Sequence, residues 1–233
     1  MNLVSAGARR LGAALAAVTH GWRGRGLTPS TLLIFVGNPR SGTTLVRSLL
    51  NAHPAIRIAQ EWSLIERFQA GERSWRRQVG GMAASAARFD SLPRWEGYDY
   101  RVAGAGDGAD SSIQVIGDKK AGRTLLLLAR SPGLLQEFVD WCPVPVRFMH
   151  CVRHPLDVIT TKTLRNGLTL DRNVALYFDL EEAAADLASR VGPSAFRSVY
   201  LERVIVRPRE EISALCAFLG VPGSGVADSA GLD

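Results

Sequence analysis

The stretch that most constrains this chain runs from Thr31 to His53: TLLIFVGNPRSGTTLVRSLLNAH. Leu32 to Val36 is a short apolar run, partly β-branched and bounded by a turn, so it predicts a buried strand. Gly37 to Gly42, carrying Pro39, predicts a turn. Leu45, Val46, Leu49 and Leu50 then recur at helical spacing, so a helix begins near Thr43. A strand, a glycine-bounded turn and a helix start bring backbone N–H groups and the positive end of the helix dipole to one place. That arrangement suits an anion.

The spacing Gly37-x-x-x-x-Gly42 followed by Thr43-Thr44 nearly reproduces the nucleotide P-loop. Thr43 stands where that motif has its lysine, and the positive charge comes earlier, at Arg40. A cradle of this kind handles an anion without the usual metal–triphosphate geometry.

Pro39-Arg40-Ser41-Gly42-Thr43-Thr44-Leu45 resembles the 5′-phosphosulfate loop of sulfotransferases that use 3′-phosphoadenosine 5′-phosphosulfate (PAPS). The continuation Leu49-Leu50-Asn51-Ala52-His53-Pro54 resembles the glycan and tyrosyl-protein branch of that family. The resemblance extends from residue 31 to about residue 220, and implies that Arg40, Ser41, Gly42, Thr43 and Thr44 hold the 5′ end of the donor. Arg153-His154-Pro155-Leu156-Asp157-Val158 resembles the family's second motif, which grips the 3′-phosphate. Eight positions after the arginine the family has a serine; here Thr161 keeps the hydroxyl. An arginine fork can hold phosphate oxygens two at a time. Tyr200, with Leu201-Glu202 after it, resembles a late tyrosine–acidic motif beside the nucleotide; its plainer reading is a half-buried core tyrosine.

The rest of the chain alternates short apolar runs with helical patterns. Ile56–Ala59 predicts a second strand ending at Gln60-Glu61, with a helix through Leu64, Ile65 and Phe68. Glu72 to Arg88 reads as helical, and Gly104 to Asp110 as a loop. Ile113–Ile116 predicts a strand followed by Asp118-Lys119-Lys120, then helical patterns with Pro132-Gly133 between them. Val146–Val152 predicts a buried strand, followed by a helix from Leu156 to Leu164 that Asn166-Gly167 stops. Asp171–Arg190 is an amphipathic helix, Ser198–Leu201 a last strand, and Pro208 starts the final helix. This pattern predicts a three-layer α/β fold of the P-loop type with a central, mainly parallel sheet. It divides the chain into a basic, alanine-rich extension (1–28), a main domain (29–221) and a flexible tail (222–233). Polar motifs after the strands then converge on one crevice at the strands' carboxyl ends.

For catalysis the resemblance places Lys119 at the bridging oxygen of the donor, with Lys120 as its substitute, and Arg40 on the departing phosphate. Many cytosolic members carry a histidine near that lysine; this chain has Asp118-Lys119-Lys120-Ala121 there. Glu61 occupies the position of the catalytic glutamate of the tyrosyl-protein branch, so it is the expected base, with Asp118 as runner-up. A strand-end carboxylate paired with Arg40 is the plainer reading of Glu61. His53 suits a cap, His150 a structural place in a strand, and His154 a place near the nucleotide.

Net charge is +6, which suits an anionic ligand and argues against nucleic acid, since the aromatics do not alternate with basic residues. Cys142, Cys151 and Cys216 and the four histidines have no metal-ligand spacing. No metal is therefore expected, and the cysteines suit a reducing compartment, the cytoplasm. The weakly apolar Leu11–Val18 run is too short to cross a bilayer, though the basic extension suits weak association with a membrane surface. The expected activity is sulfuryl transfer from PAPS to an acceptor hydroxyl on a carbohydrate, lipid, small metabolite or tyrosine. A P-loop kinase-like phosphotransferase and a non-catalytic nucleotide-binding protein are the alternatives. The oligomeric state is left open.

Overall fold

The computed structural model describes residues 26–92, 94–102, 112–131 and 133–223. Nearly all of the 1–28 extension, the Gly104–Asp110 loop, Pro132 and most of the 222–233 tail lie outside the described residues.

Five strands form one sheet: β1 (Thr31–Gly37), β2 (Ile56–Gln60), β3 (Val115–Lys119), β4 (Val146–Val152) and β5 (Phe196–Tyr200). Their order is β2-β3-β1-β4-β5, and every neighbouring pair is parallel. The described helices are α1 (Thr43–Asn51), α2 (Leu64–Gln69), α3 (Trp75–Asp90), α4 (Gly122–Arg130), α5 (Leu134–Trp141), α6 (Pro155–Asn166), α7 (Leu170–Val191), α8 (Leu201–Val206) and α9 (Pro208–Leu219). None is long and apolar enough to cross a membrane.

Alternation along β1 explains the three layers. Leu32, Ile34 and Val36 face one core, with Leu64 and Phe68 of α2, Leu125 of α4 and Leu180 of α7. Leu33 and Phe35 face the other, with Val46 and Leu50 of α1 and Leu215 of α9. Both faces of the central strands are covered, as a parallel sheet requires.

The strand ends differ from the sequence expectation in one useful way. β3 starts later than expected and runs through Asp118 and Lys119, so these residues belong to the strand rather than to the turn after it. Pairing with β1 and β2 on both sides outweighs their polarity. β5 ends at Tyr200, and Leu201 opens the short helix α8, which the sequence pattern does not announce.

A second departure is the tie that fixes α3. Arg47 of α1 is fully buried, and its Nε donates to the Ile58 carbonyl (2.8 Å). Its guanidinium pairs with Asp90, donates to the Ala86 carbonyl (3.3 Å) and lies 4.5 Å over the Phe89 ring. Asn51 joins the network by donating to Asp90 (3.2 Å) and accepting from the Ile58 N–H (2.8 Å). These contacts hold the end of α3 against β2, beside the strand-end crevice.

Candidate active site

The loop after β1 is shaped by left-handed backbone and close packing. Gly37 has φ +115°, and a Cβ there would stand 2.9 Å from the Cys151 carbonyl. Arg40 (φ 76°) and Gly42 (φ 84°) also lie in the left-handed region. A Cβ on Gly42 would fall 2.4 Å from Leu201, so α8 seats directly on the loop. Ser41 Oγ donates to the Asn38 carbonyl (2.7 Å) and closes the turn. Asn38 in turn donates to Glu181 (2.8 Å) and to the Tyr177 carbonyl (3.2 Å), tying the loop to α7. α1 then starts at Thr43 with no side-chain cap, leaving its first-turn amides to face the crevice.

The second basic motif reaches this loop. Arg153 Nη1 donates to the Arg40 carbonyl at 3.4 Å, and Nη2 pairs with Asp157 at 3.2 Å. Thr161 lies on α6, where positions 157, 161 and 165 step by four along one stripe, and Arg153 stands just before the helix. Arg165, which the sequence reading did not single out, continues that stripe and donates to the Tyr98 hydroxyl (3.1 Å). Its signal was the four-residue step beyond Thr161. Tyr200 ends β5 at 44% exposure with Arg203 stacked on its ring, so it is not a half-buried core tyrosine. Glu202 accepts from the His154 N–H (2.8 Å), which fixes the start of α6.

On the other side of β1, the chemistry gathers at the ends of β2 and β3. Gln60 and Lys119 are register partners, and Glu61 follows with φ 55°. Glu61 Oε1 lies 3.3 Å from Lys119 Nζ, and Oε2 lies 3.2 Å from Lys120 Nζ. Burial alone would push the Glu61 carboxyl up, but the two ammonium groups outweigh it and hold it below the ordinary carboxylate range. Burial lowers Lys119, against the pull of Glu61. Asp118 is buried, and its two oxygens accept from the N–H groups of Trp62 (2.9 Å) and Leu64 (2.7 Å). Burial pushes it up to about 6 against those two hydrogen bonds. The runner-up base is thus engaged in holding the turn that carries Glu61.

The plainer expectation that Glu61 pairs with Arg40 is corrected: Arg40 pairs instead with Glu96. Glu96 sits in the Trp95–Tyr98 turn, itself at positive φ. His53 serves as a local cap, its Nδ1 accepting from the Ala55 N–H (3.0 Å). His150 is buried in β4 beside Glu181, at 3.6 Å. Among the described residues no group of His, Cys, Asp and Glu is placed to hold a metal ion.

An anion cradle, a buried lysine and a carboxylate on that lysine thus share one edge of the sheet. The sequence model of the Sulfotransferase family matches residues 33–225. The chain belongs to that family. It is 52% identical to human protein-tyrosine sulfotransferase 1 over 46 residues, 19% of this chain and 12% of the relative. It is 50% identical to the protein-tyrosine sulfotransferase of Drosophila melanogaster over 44 residues, 18% of this chain and 9% of the relative. These matches therefore span about an eighth or less of the relatives' length. Among solved structures, the sulfotransferase domain of the Synechococcus PCC 7002 olefin synthase superposes with TM-score 0.56 at 18% identity, covering 88% of this chain and 82% of that one. A sulfotransferase from Alicyclobacillus acidocaldarius gives TM-score 0.50 at 17% identity, covering 84% and 83%. These superpositions carry the fold: a parallel sheet flanked by helices, with a glycine-bounded loop after its central strand.

Proposed function

We propose that this protein transfers a sulfuryl group from PAPS to an acceptor hydroxyl. The observation that carries the reading is the Glu61 carboxylate seated on Lys119, at the end of the strand next to the one that feeds the Arg40–Thr44 loop. The residues present fit the donor at both ends. The loop amides and Arg40 offer positive groups to its 5′ end, and Arg153, Thr161 and Arg165 offer a cationic, hydroxyl-bearing stripe to its 3′-phosphate.

The donor supplies the activated sulfuryl group. Glu61 takes the acceptor's proton as the new O–S bond forms and the S–O bond to phosphate breaks. Lys119 and Arg40 face the negative charge that grows on the departing phosphate. Their work is positioning and electrostatics within a fixed edge of the sheet. Thr43 in place of the P-loop lysine weighs against a kinase.

The test separates the donor's two ends. Arg153→Ala should weaken adenosine 3′,5′-bisphosphate by about 1.5–3 kcal/mol and leave adenosine 5′-phosphate nearly unchanged in calorimetry. Equal weakening of both ligands counts against the assignment. Transfer of labelled sulfate from PAPS, run in excess chelator, completes the test. Magnesium-dependent transfer of labelled phosphate from ATP, with no sulfate transfer from PAPS, would point to the kinase, and tight binding without transfer to any acceptor to a nucleotide-binding protein.

A further inference from the structure

A cavity of about 360 Å³ opens beside Glu61, between the end of β2, α3 and the turn at Trp95. Its wall includes Gln60, Glu61, Trp62, Arg88, Phe89 and Trp95. Gln60 is 8% exposed, and both atoms of its side-chain amide are buried without a hydrogen-bond partner. Buried amides are nearly always satisfied, so an unused one in a cavity wall marks a place for a ligand's polar group. The Gln60 backbone is itself fixed, its carbonyl accepting from Ser85 Oγ at 3.0 Å.

The aromatic walls are held in place by the protein alone. Trp62 Nε1 donates to Gln78 (2.8 Å), and the Arg67 guanidinium lies 3.9 Å over its ring. A Cβ on Gly81 would stand 2.1 Å from that ring, so α3 carries glycine there to let the indole in. Phe89 packs against Trp95 at 5.5 Å. Fixed flat walls around a small volume favour a planar ring. Arg88 stands exposed in the same wall, and its side chain has no ion pair among the described residues.

We propose that this cavity binds a small phenol bearing a carboxylate as the acceptor. Its ring lies between the aromatic walls, and its carboxylate meets Arg88. The amide of Gln60 donates to the phenolic oxygen while Glu61 accepts the proton. Gln60 and Arg88 are then the residues that determine acceptor specificity. The inference rests on the sulfuryl-transfer reading, and its test keeps the two apart.

The probes are 4-hydroxyphenylpropionate and its methyl ester, titrated against tryptophan fluorescence with and without saturating adenosine 3′,5′-bisphosphate. The acid should bind saturably. Arg88→Ala should weaken the acid on the order of ten- to a hundredfold and leave the ester unchanged, as loss of one charge-assisted contact requires. Gln60→Met, similar in volume, should weaken acid and ester alike without changing the circular dichroism spectrum. No saturable binding of the acid overturns the inference, as does equal weakening of acid and ester by Arg88→Ala. Binding of an acidic tyrosine peptide in place of the small acid also overturns it. The adenosine 3′,5′-bisphosphate titration in the same samples reports on the wider reading. If that ligand binds and the phenol does not, the acceptor inference alone fails.

Discussion

On the β1–β4–β5 side of the crevice, the groups proposed to hold the donor come from residues close together in the chain. Arg40 to Thr44 run from one turn into the start of α1, and Arg153 stands two residues before α6, which carries Thr161 and Arg165. On the β2–β3 side, the groups meet only through the fold. Glu61 finds Lys119 58 residues away, Asp118 holds the N–H groups of Trp62 and Leu64, and Arg47 reaches Asp90 across 43 residues. Holding a phosphate needs little more than backbone amides and a cation, which one short motif can supply. Moving a proton at a chosen hydroxyl needs a carboxylate, its partners and a pocket, which a short motif cannot.

The largest expected effect is on the second side. Glu61→Gln keeps the shape and removes the basicity, and should lower turnover by about 10²–10⁴ while leaving adenosine 3′,5′-bisphosphate affinity nearly unchanged. The pH profile sharpens this. Glu61 must be ionised, and its pKa lies below the ordinary 4.5, so activity is lost only as pH falls below that value. Lys119 must be protonated, and burial holds its pKa below the ordinary 10.5, so activity is also lost as pH rises through that lowered value. In Glu61→Gln the lysine loses the group that raises it, so the alkaline limb should move to lower pH. An alkaline limb that stays put in the variant would mean that Lys119 is not the group it reports.

Next in size is the support beneath that side. Arg47 is fully buried in a pair with Asp90, whose side chain is only 10% exposed. Arg47→Met leaves the buried Asp90 carboxylate without its counter-ion, with Asn51 still donating to it, and should cost about 3–5 kcal/mol in urea unfolding. Asp90→Leu added to it should recover part of that loss, because the stranded charge is gone. The comparison between the two sides breaks if Arg47→Met also lowers adenosine 3′,5′-bisphosphate affinity more than acceptor affinity, since the Arg47 side chain bonds to Ile58, Ala86 and Asp90 on the β2 side.

The same contrast explains what the sequence made legible. The parallel sheet, the turn from Gly37 to Gly42 and the places of Glu61 and Lys119 at neighbouring strand ends could be read from local pattern or from resemblance, but the ion pair between Glu61 and Lys119 could not. Asp118 could not be placed, because nothing local says that a strand continues through an aspartate and a lysine; pairing on both sides decides it. Arg47 looks like an ordinary polar position on an amphipathic helix, and its partner lies in the part of the chain with the weakest pattern. The same holds for Glu96, whose contact with Arg40 depends on where the 94–102 segment folds back.

Glu96 is where the two sides meet, and it carries the smallest prediction. Its carboxylate occupies Arg40, the cation of the loop after β1, while its neighbour Trp95 lines the cavity beside Glu61. Arg40 is 25% exposed and Glu96 50%, so the pair is screened and contributes at most about 1 kcal/mol. An anion arriving at the loop must displace that carboxylate. Glu96→Gln should therefore tighten adenosine 3′,5′-bisphosphate by no more than about fivefold at low salt. The gain should shrink as ionic strength rises, because the contact removed is a screened one. Phenol binding should weaken slightly in the same variant as the turn that holds Trp95 loosens. If Glu96→Gln instead weakens the nucleotide, Glu96 orients Arg40 rather than competing for it, and the acceptor side then helps to build the donor site.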